Sequence, residues 1–204
     1  MALTVPRVPV ITRSEWGAKR ATHPAQPLGP ARGIVVHHTA QGYGYASKAG
    51  VSEADGNRAL LAVQSSHLQR GFSDTGYHFV IDGAGRVYQG REYVRPGSFG
   101  SGRTAPGLAL GSHVAGFNTG RIGVNLLGCF GGGPKDKGCD DVPSEAAMDA
   151  LTALLTALCL AYGVKPGNVV GHKDLASTAC PGRHLYARLS NLRAAVASAV
   201  GHAR

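Results

Sequence analysis

Gly33-Ile34-Val35-Val36-His37-His38 is a short β-branched run closed by two histidines. β-branched side chains pack well on a pleated surface, so the run predicts a strand buried inside a sheet. Successive strand side chains point to opposite faces, so His37 and His38 cannot both reach one site. A second short strand, Val169-Val170-Gly171, runs directly into His172. Cys180 follows eight residues later, in His172-Lys-Asp-Leu-Ala-Ser-Thr-Ala-Cys180-Pro-Gly. Neighbouring strands lie about 5 Å apart, so histidines ending two of them can meet, and the loop between can return Cys180 to the same point. Two imidazoles and a thiolate suit Zn²⁺, and three protein ligands leave a fourth position open, the mark of a catalytic site.

Outward from this strand, residues 1–32 read as an extended arm rich in Pro and Arg. It carries Arg13-Ser-Glu-Trp16-Gly-Ala, with Trp16 as a core anchor. A loop follows from Thr39 to Val51. Ser52, with Asp55 three residues on, has the form of a helix start, and the helix is expected to run to about Gln69 and stop at Gly71. Gly76-Tyr-His-Phe-Val-Ile and Arg86-Val-Tyr-Gln flank Asp82-Gly-Ala-Gly85, a hairpin pattern. Residues 91–120 read mostly as loop, and residues 121–130 as another strand. Ser144 caps a helix over about 144–162, with Leu151, Leu154, Leu155 and Leu158 at helical spacing. A third helix covers about 185–200. Without a strict βαβ rhythm, the expected fold is α/β, a mixed central sheet with about three flanking helices. One domain is expected over residues 1–204, the arm at 1–32 and the core at 33–200.

The chain has 204 residues, 43% hydrophobic and 16% charged, a globular composition. Lys and Arg number 21 against 12 Asp and Glu, a net charge of +9 that favours a polyanionic partner. Nucleic acid, an anionic membrane and an acidic cell wall all qualify. The basic residues are scattered, and no nucleic-acid motif is present. No run of about 18 apolar residues occurs, so no membrane span is expected. The first residues lack the charged-then-apolar form of a signal peptide. Cys129 and Cys139 flank a glycine-rich loop and are read either as a disulfide or as two thiols. Cys159 reads as a small buried hydrophobe.

Six segments occur in the order and approximate spacing of one family: Arg13-Ser-Glu-Trp-Gly-Ala, Ile34-Val-Val-His-His-Thr, Gly76-Tyr-His-Phe-Val-Ile-Asp, Gly85-Arg-Val-Tyr-Gln-Gly-Arg, Asn118-Thr-Gly-Arg-Ile-Gly-Val and Gly171-His…Thr178-Ala-Cys-Pro-Gly. Over about residues 11–190 the chain resembles the type 2 N-acetylmuramoyl-L-alanine amidases of the peptidoglycan recognition protein superfamily. The resemblance implies a groove holding one Zn²⁺, with His37, His172 and Cys180 as ligands. It also implies hydrolysis of the amide between N-acetylmuramic acid and L-alanine of peptidoglycan. Tyr77 matches the family's active-site tyrosine, whose hydroxyl stabilises the developing oxyanion. Thr178 stands where phage members carry lysine and many recognition proteins carry threonine; it is read either as an oxyanion donor or as a turn cap. His113 and Asn118 match groove positions, and His38 joins them as a candidate substrate contact.

The chain departs from the family in places. Glu92-Tyr93 replaces a Gly-Trp pair common in members favouring diaminopimelate. Residues 95–110 form an insertion read as a groove wall or flap, and Tyr43 and Tyr45 are candidates to line the opposite wall. Two rival readings are a recognition protein that binds peptidoglycan without cutting it and a structural zinc closed by His38, His113 or Asp174. Non-catalytic members typically lack the cysteine, so Cys180 favours the enzyme. Expected partners are peptidoglycan and the anionic wall, with no nucleic acid, and the chain is expected to be a monomer. The expected location is the extracellular wall, for an exported autolysin, or the cytoplasm, for a phage endolysin released at lysis.

Overall fold

The computed structural model describes residues 4–40, 43–131 and 138–203. The start of the arm, positions 41 and 42 of the first loop and the centre of the glycine-rich loop lie outside the described residues.

Among the described residues, six strands form one sheet: β1 (Val10–Ile11), β2 (Gly33–His38), β3 (Phe79–Ile81), β4 (Val87–Gln89), β5 (Arg121–Leu126) and β6 (Val169–Gly171). Their order is β1-β4-β3-β5-β2-β6. Of the described strand pairs only the β3–β4 hairpin is antiparallel; the others run parallel, so the sheet is mixed as expected. Three α-helices among the described residues flank it: α1 (Glu53–Gln69), α2 (Glu145–Tyr162) and α3 (Arg183–His202). Ser52 and Ser144 cap α1 and α2 by accepting from Asp55 N and Ala147 N. Gly163 ends α2 at φ 68°, a left-handed backbone that side chains resist.

Alternation along the strands divides the core in two. Ile34, Val36, Phe79, Ile81, Ile122, Val124 and Leu126 pack with the leucines of α2 and α3. Val80, Tyr88 and Leu127 pack with Trp16 and with Ala59, Leu60 and Val63 of α1. α2, 18 residues, is long and apolar enough to cross a membrane, yet half of it is buried inside this fold. His37 therefore emerges on the α1 side and His38 on the α2–α3 side.

The arm is more integrated than an extended lead. It adds β1 beside β4, and Val8, Trp16 and Leu28 are buried. Trp16 Nε1 donates to Gln89 O at 2.7 Å. Arg13 pairs at 2.9 Å with Asp74, which also accepts from Gln64 and the Thr75 amide. A two-residue strand is too short to carry a period, which is why the sequence reads as coil there. The strands expected over 76–81 and 121–130 are shorter than read, β3 beginning at Phe79 and β5 ending at Leu126.

Residues 95–110 are stitched by bridges Arg95↔Gly107 and Pro27↔Ala109. Phe99 and Leu108 are buried in the α2–α3 core. The insertion is thus anchored to the body of the fold and does not line the pocket beside Tyr77.

Cys129 and Cys139 are joined as a disulfide. With 10 residues of separation, the chain-entropy relation assigns it about 3 kcal/mol. The double variant Cys129→Ala, Cys139→Ala should melt roughly 5–10 °C lower by calorimetry.

Candidate metal centre and adjoining pocket

β2 delivers His37 to the α1 face with 1% exposure. β6 ends at Gly171, so His172 begins the turn at the next strand end, with β6 paired to β2 at Val36↔Gly171. The loop from this turn brings Cys180 back, and the Cys180–Pro181 peptide is cis. One ligand atom from each of His37, His172 and Cys180 lies within 4.8 Å of the others. Cys180 Sγ stands 3.6 Å from His37 Nδ1 and accepts from the His38 amide at 3.4 Å.

The set fits zinc. Bonds of 2.0–2.3 Å in a tetrahedron put nitrogen and sulfur about 3.6 Å apart. Burial holds His37 well below the usual imidazole range, with His113 and His172 adding to the effect. Burial also lowers His172. Both are neutral bases at pH 7. Burial pushes the Cys180 thiol up to about 12, partly offset by the His38 amide. Metal loading must therefore expel one proton, from sulfur. Zinc affinity should rise about tenfold per pH unit between pH 7 and 9, a slope that competition titrations against a chelator can read.

Tyr77 precedes β3, its ring 5.2 Å from that of His37. Burial raises its phenol, with Cys180 adding to this, so it remains a hydrogen-bond donor across the working range. It forms one wall of a pocket of about 430 Å³, lined also by Thr39, Tyr43, Val63, His67 and Arg70. Tyr43 thus lines a wall, whereas Tyr45 lies 40% exposed beneath Arg58.

Several candidate contacts have other partners. His38 points to the opposite face, its Nδ1 accepting from Phe130 N and its ring against Phe130. His113 is buried, Nδ1 at 3.0 Å from His37 Nε2 and Nε2 at 3.1 Å from Arg121 O. Burial lowers it to about 4. Asn118 Oδ1 accepts from the amides of His113 and Val114. None of the three is among the residues lining the pocket beside Tyr77. Thr178 Oγ1 accepts from the Cys180 amide at 3.2 Å, the turn-capping arrangement. Asp174 accepts from the Gly171 amide and the Tyr186 hydroxyl. None of His38, His113 or Asp174 joins the three-residue group among the described residues.

Two features escape a motif reading. Val63, Ser66, His67 and Arg70 all line the pocket. They recur at i, i+3, i+4 and i+7 along α1 and its C-cap Arg70, a periodicity that marks one polar-edged face. His67 Nδ1 accepts from Gly76 N, and burial lowers the ring to about 4, so it is neutral. Asn125, paired in register with His37, is wholly buried, and neither side-chain amide atom has a hydrogen-bond partner among the described residues.

The family profile described as N-acetylmuramoyl-L-alanine amidase, Amidase_2, matches residues 27–183. Peptidoglycan-recognition protein SD of Drosophila simulans is 32% identical over 182 residues, covering 88% of this chain and 83% of that protein. The crystal structure of Drosophila peptidoglycan recognition protein SD has a TM-score of 0.70 at 27% identity, over 90% of this chain and 94% of that one. Peptidoglycan recognition protein LE, solved with tracheal cytotoxin (monomeric diaminopimelic acid-type peptidoglycan), has a TM-score of 0.69 at 25% identity, over 89% and 92%.

Proposed function

The chain belongs to the N-acetylmuramoyl-L-alanine amidase family, Amidase_2, and on that footing we propose that it is a zinc-dependent amidase that cleaves between N-acetylmuramic acid and L-alanine of peptidoglycan. The observation that carries this reading is the convergence of His37, His172 and Cys180 at one point beside a pocket. Three ligands suit a catalytic zinc, whereas structural sites are closed by four.

Zinc held there supplies Lewis-acid polarisation of a carbonyl and lowers the pKa of water. The chain's own residues do the rest. The Tyr77 hydroxyl, kept protonated by burial, donates to the carbonyl oxygen as negative charge grows on it. The Thr178 hydroxyl caps the Cys180 turn through its oxygen and retains its proton as a second, weaker donor. His67, with Nδ1 occupied by Gly76 N, offers Nε2–H to the stem peptide. Arg70 supplies positive charge to the same wall for a peptide carboxylate. Hydrolysis adds water across the C–N bond, leaving a lactyl carboxylate and a free L-alanine amine.

The net charge of +9 suits residence on an anionic wall outside the membrane, reached by export or by phage-driven lysis. Raising salt from 50 to 300 mM should weaken sedimentation with whole walls several-fold more than it slows turnover of a soluble muropeptide, since screening acts on long-range charge. Equal losses would remove charge steering from the account.

The relatives named as recognition proteins support a second reading, binding without cleavage. Digestion of purified peptidoglycan followed by mass spectrometry, with and without a zinc chelator, separates the two. The amidase releases stem peptides beginning at L-alanine only when zinc is available; a pure binder releases none.

A further inference from the structure

We infer that His113 is a positioning residue for the metal centre: it accepts a hydrogen bond from His37 Nε2–H and thereby fixes the His37 tautomer that turns a bare Nδ1 towards Cys180 and His172. The inference rests on the zinc reading above and extends it to a residue outside the ligand set.

One line of contacts fixes where the protons sit. Arg121 O is a carbonyl and can only accept, so the His113 Nε2 facing it at 3.1 Å carries a proton. The other nitrogen, Nδ1, then offers a lone pair, and His37 Nε2 lies 3.0 Å from it. His37 Nε2 therefore donates, and His37 Nδ1 is left unprotonated 3.6 Å from Cys180 Sγ. A metal needs that lone pair, and a ligand histidine is commonly set by what its other nitrogen touches.

The fold holds His113 tightly enough to do this. Its backbone is pinned by Asn118 Oδ1, which accepts from the amides of both His113 and Val114. Its ring lies flush on β5 where Gly123 has no side chain; a Cβ at Gly123 would come within 2.7 Å of His113 Cγ and Cδ2. A Cβ at Gly111 would likewise stand 2.7 Å from Cδ2. Gly123 lies on the same strand and the same face as Asn125, the register partner of His37. His113 thus fills the space over β5 beside His37, and the two rings meet edge to face at 86°.

The test measures zinc affinity of the chelator-stripped full chain by competition with a chromophoric chelator, alongside thermal unfolding of the metal-free protein. His113→Leu removes the acceptor, and Gly123→Ala displaces the ring without altering either histidine. Each should raise the zinc Kd about 10–100-fold. His113→Gln, whose amide can accept from one side and donate to the other, should recover most of the affinity. Nitrogen-15 spectra of the metal-free wild type should show His37 protonated at Nε2. Wild-type affinity in both His113→Leu and Gly123→Ala, or a His37 protonated at Nδ1, would overturn the inference while leaving zinc binding intact. A wild-type chain that takes up no zinc overturns the metal reading and this inference with it. Should His113→Leu unfold, Gly123→Ala and the nitrogen spectrum still decide the matter.

Discussion

If the chain is the proposed zinc amidase, Cys180→Ser should release stem peptide from peptidoglycan at least about a thousandfold more slowly than the wild type, while its binding to intact walls should change by no more than a few-fold. The magnitude follows from the several kcal/mol that a Lewis acid contributes to transition-state charge, about 4 kcal/mol being a thousandfold in rate. Serine is the informative replacement. Its hydroxyl is close to the thiol in size and can still accept the His38 amide hydrogen bond, so the turn from His172 to Cys180 retains its shape. What it lacks is an ionisable sulfur, and with it the third ligand. The groups proposed to contact the wall, Arg70 and His67 in the pocket and the overall positive charge, are untouched. Fragment release followed by mass spectrometry gives the rate, and co-sedimentation with walls gives the affinity. Undiminished hydrolysis by Cys180→Ser would remove the sulfur from the catalytic set.

Tyr77→Phe should lower kcat by about 10²–10³ with little change in zinc affinity, the loss expected when one oxyanion donor is removed. The ring stays, so its packing near His37 and His67 and the shape of the pocket wall persist. Only the hydroxyl goes. Because burial raises the phenol well above its usual range, the wild type should show no alkaline loss of kcat from this residue below about pH 10. Pre-steady-state rates on a soluble muropeptide, measured beside chelator competition for zinc, separate donation to substrate from support of the metal. A variant losing zinc affinity and rate in proportion would make Tyr77 part of the metal's surroundings instead.

The β2 segment is legible because three β-branched residues in a row leave few alternatives to a buried strand, and alternation alone separates His37 from His38. α1 and α2 are legible through their serine caps and the glycines that follow them. The β3–β4 hairpin is legible from Asp82 to Gly85. β1 is not, since two residues have no period and their pairing with β4 depends on Trp16 docking from a distance. The disulfide is an open question in the sequence because spacing does not reveal whether two cysteines face each other.

In the candidate site, spacing brings His172 and Cys180 into consideration, and resemblance sharpens the choice. Motif position also suggests His113 and Asn118, but as groove residues. Their actual contacts depend on a loop folding over a glycine in β5, which no local pattern announces. The α1 face of Val63, Ser66, His67 and Arg70 carries a helical period, yet a period reveals a shared face and not whether that face meets a pocket. Asn125 is hidden for a related reason. In a strand, a polar residue among apolar ones reads as an outward position until the register sets it beside His37.

Zinc K-edge absorption of the purified, zinc-loaded full chain bears most directly on the metal centre. The account predicts one zinc per chain, bound to two nitrogens and one sulfur at about 2.0–2.3 Å with one lighter neighbour, and loss of the sulfur scatterer in Cys180→Ser. A wild-type spectrum without sulfur, with four protein ligands, or with no stoichiometric zinc would contradict it.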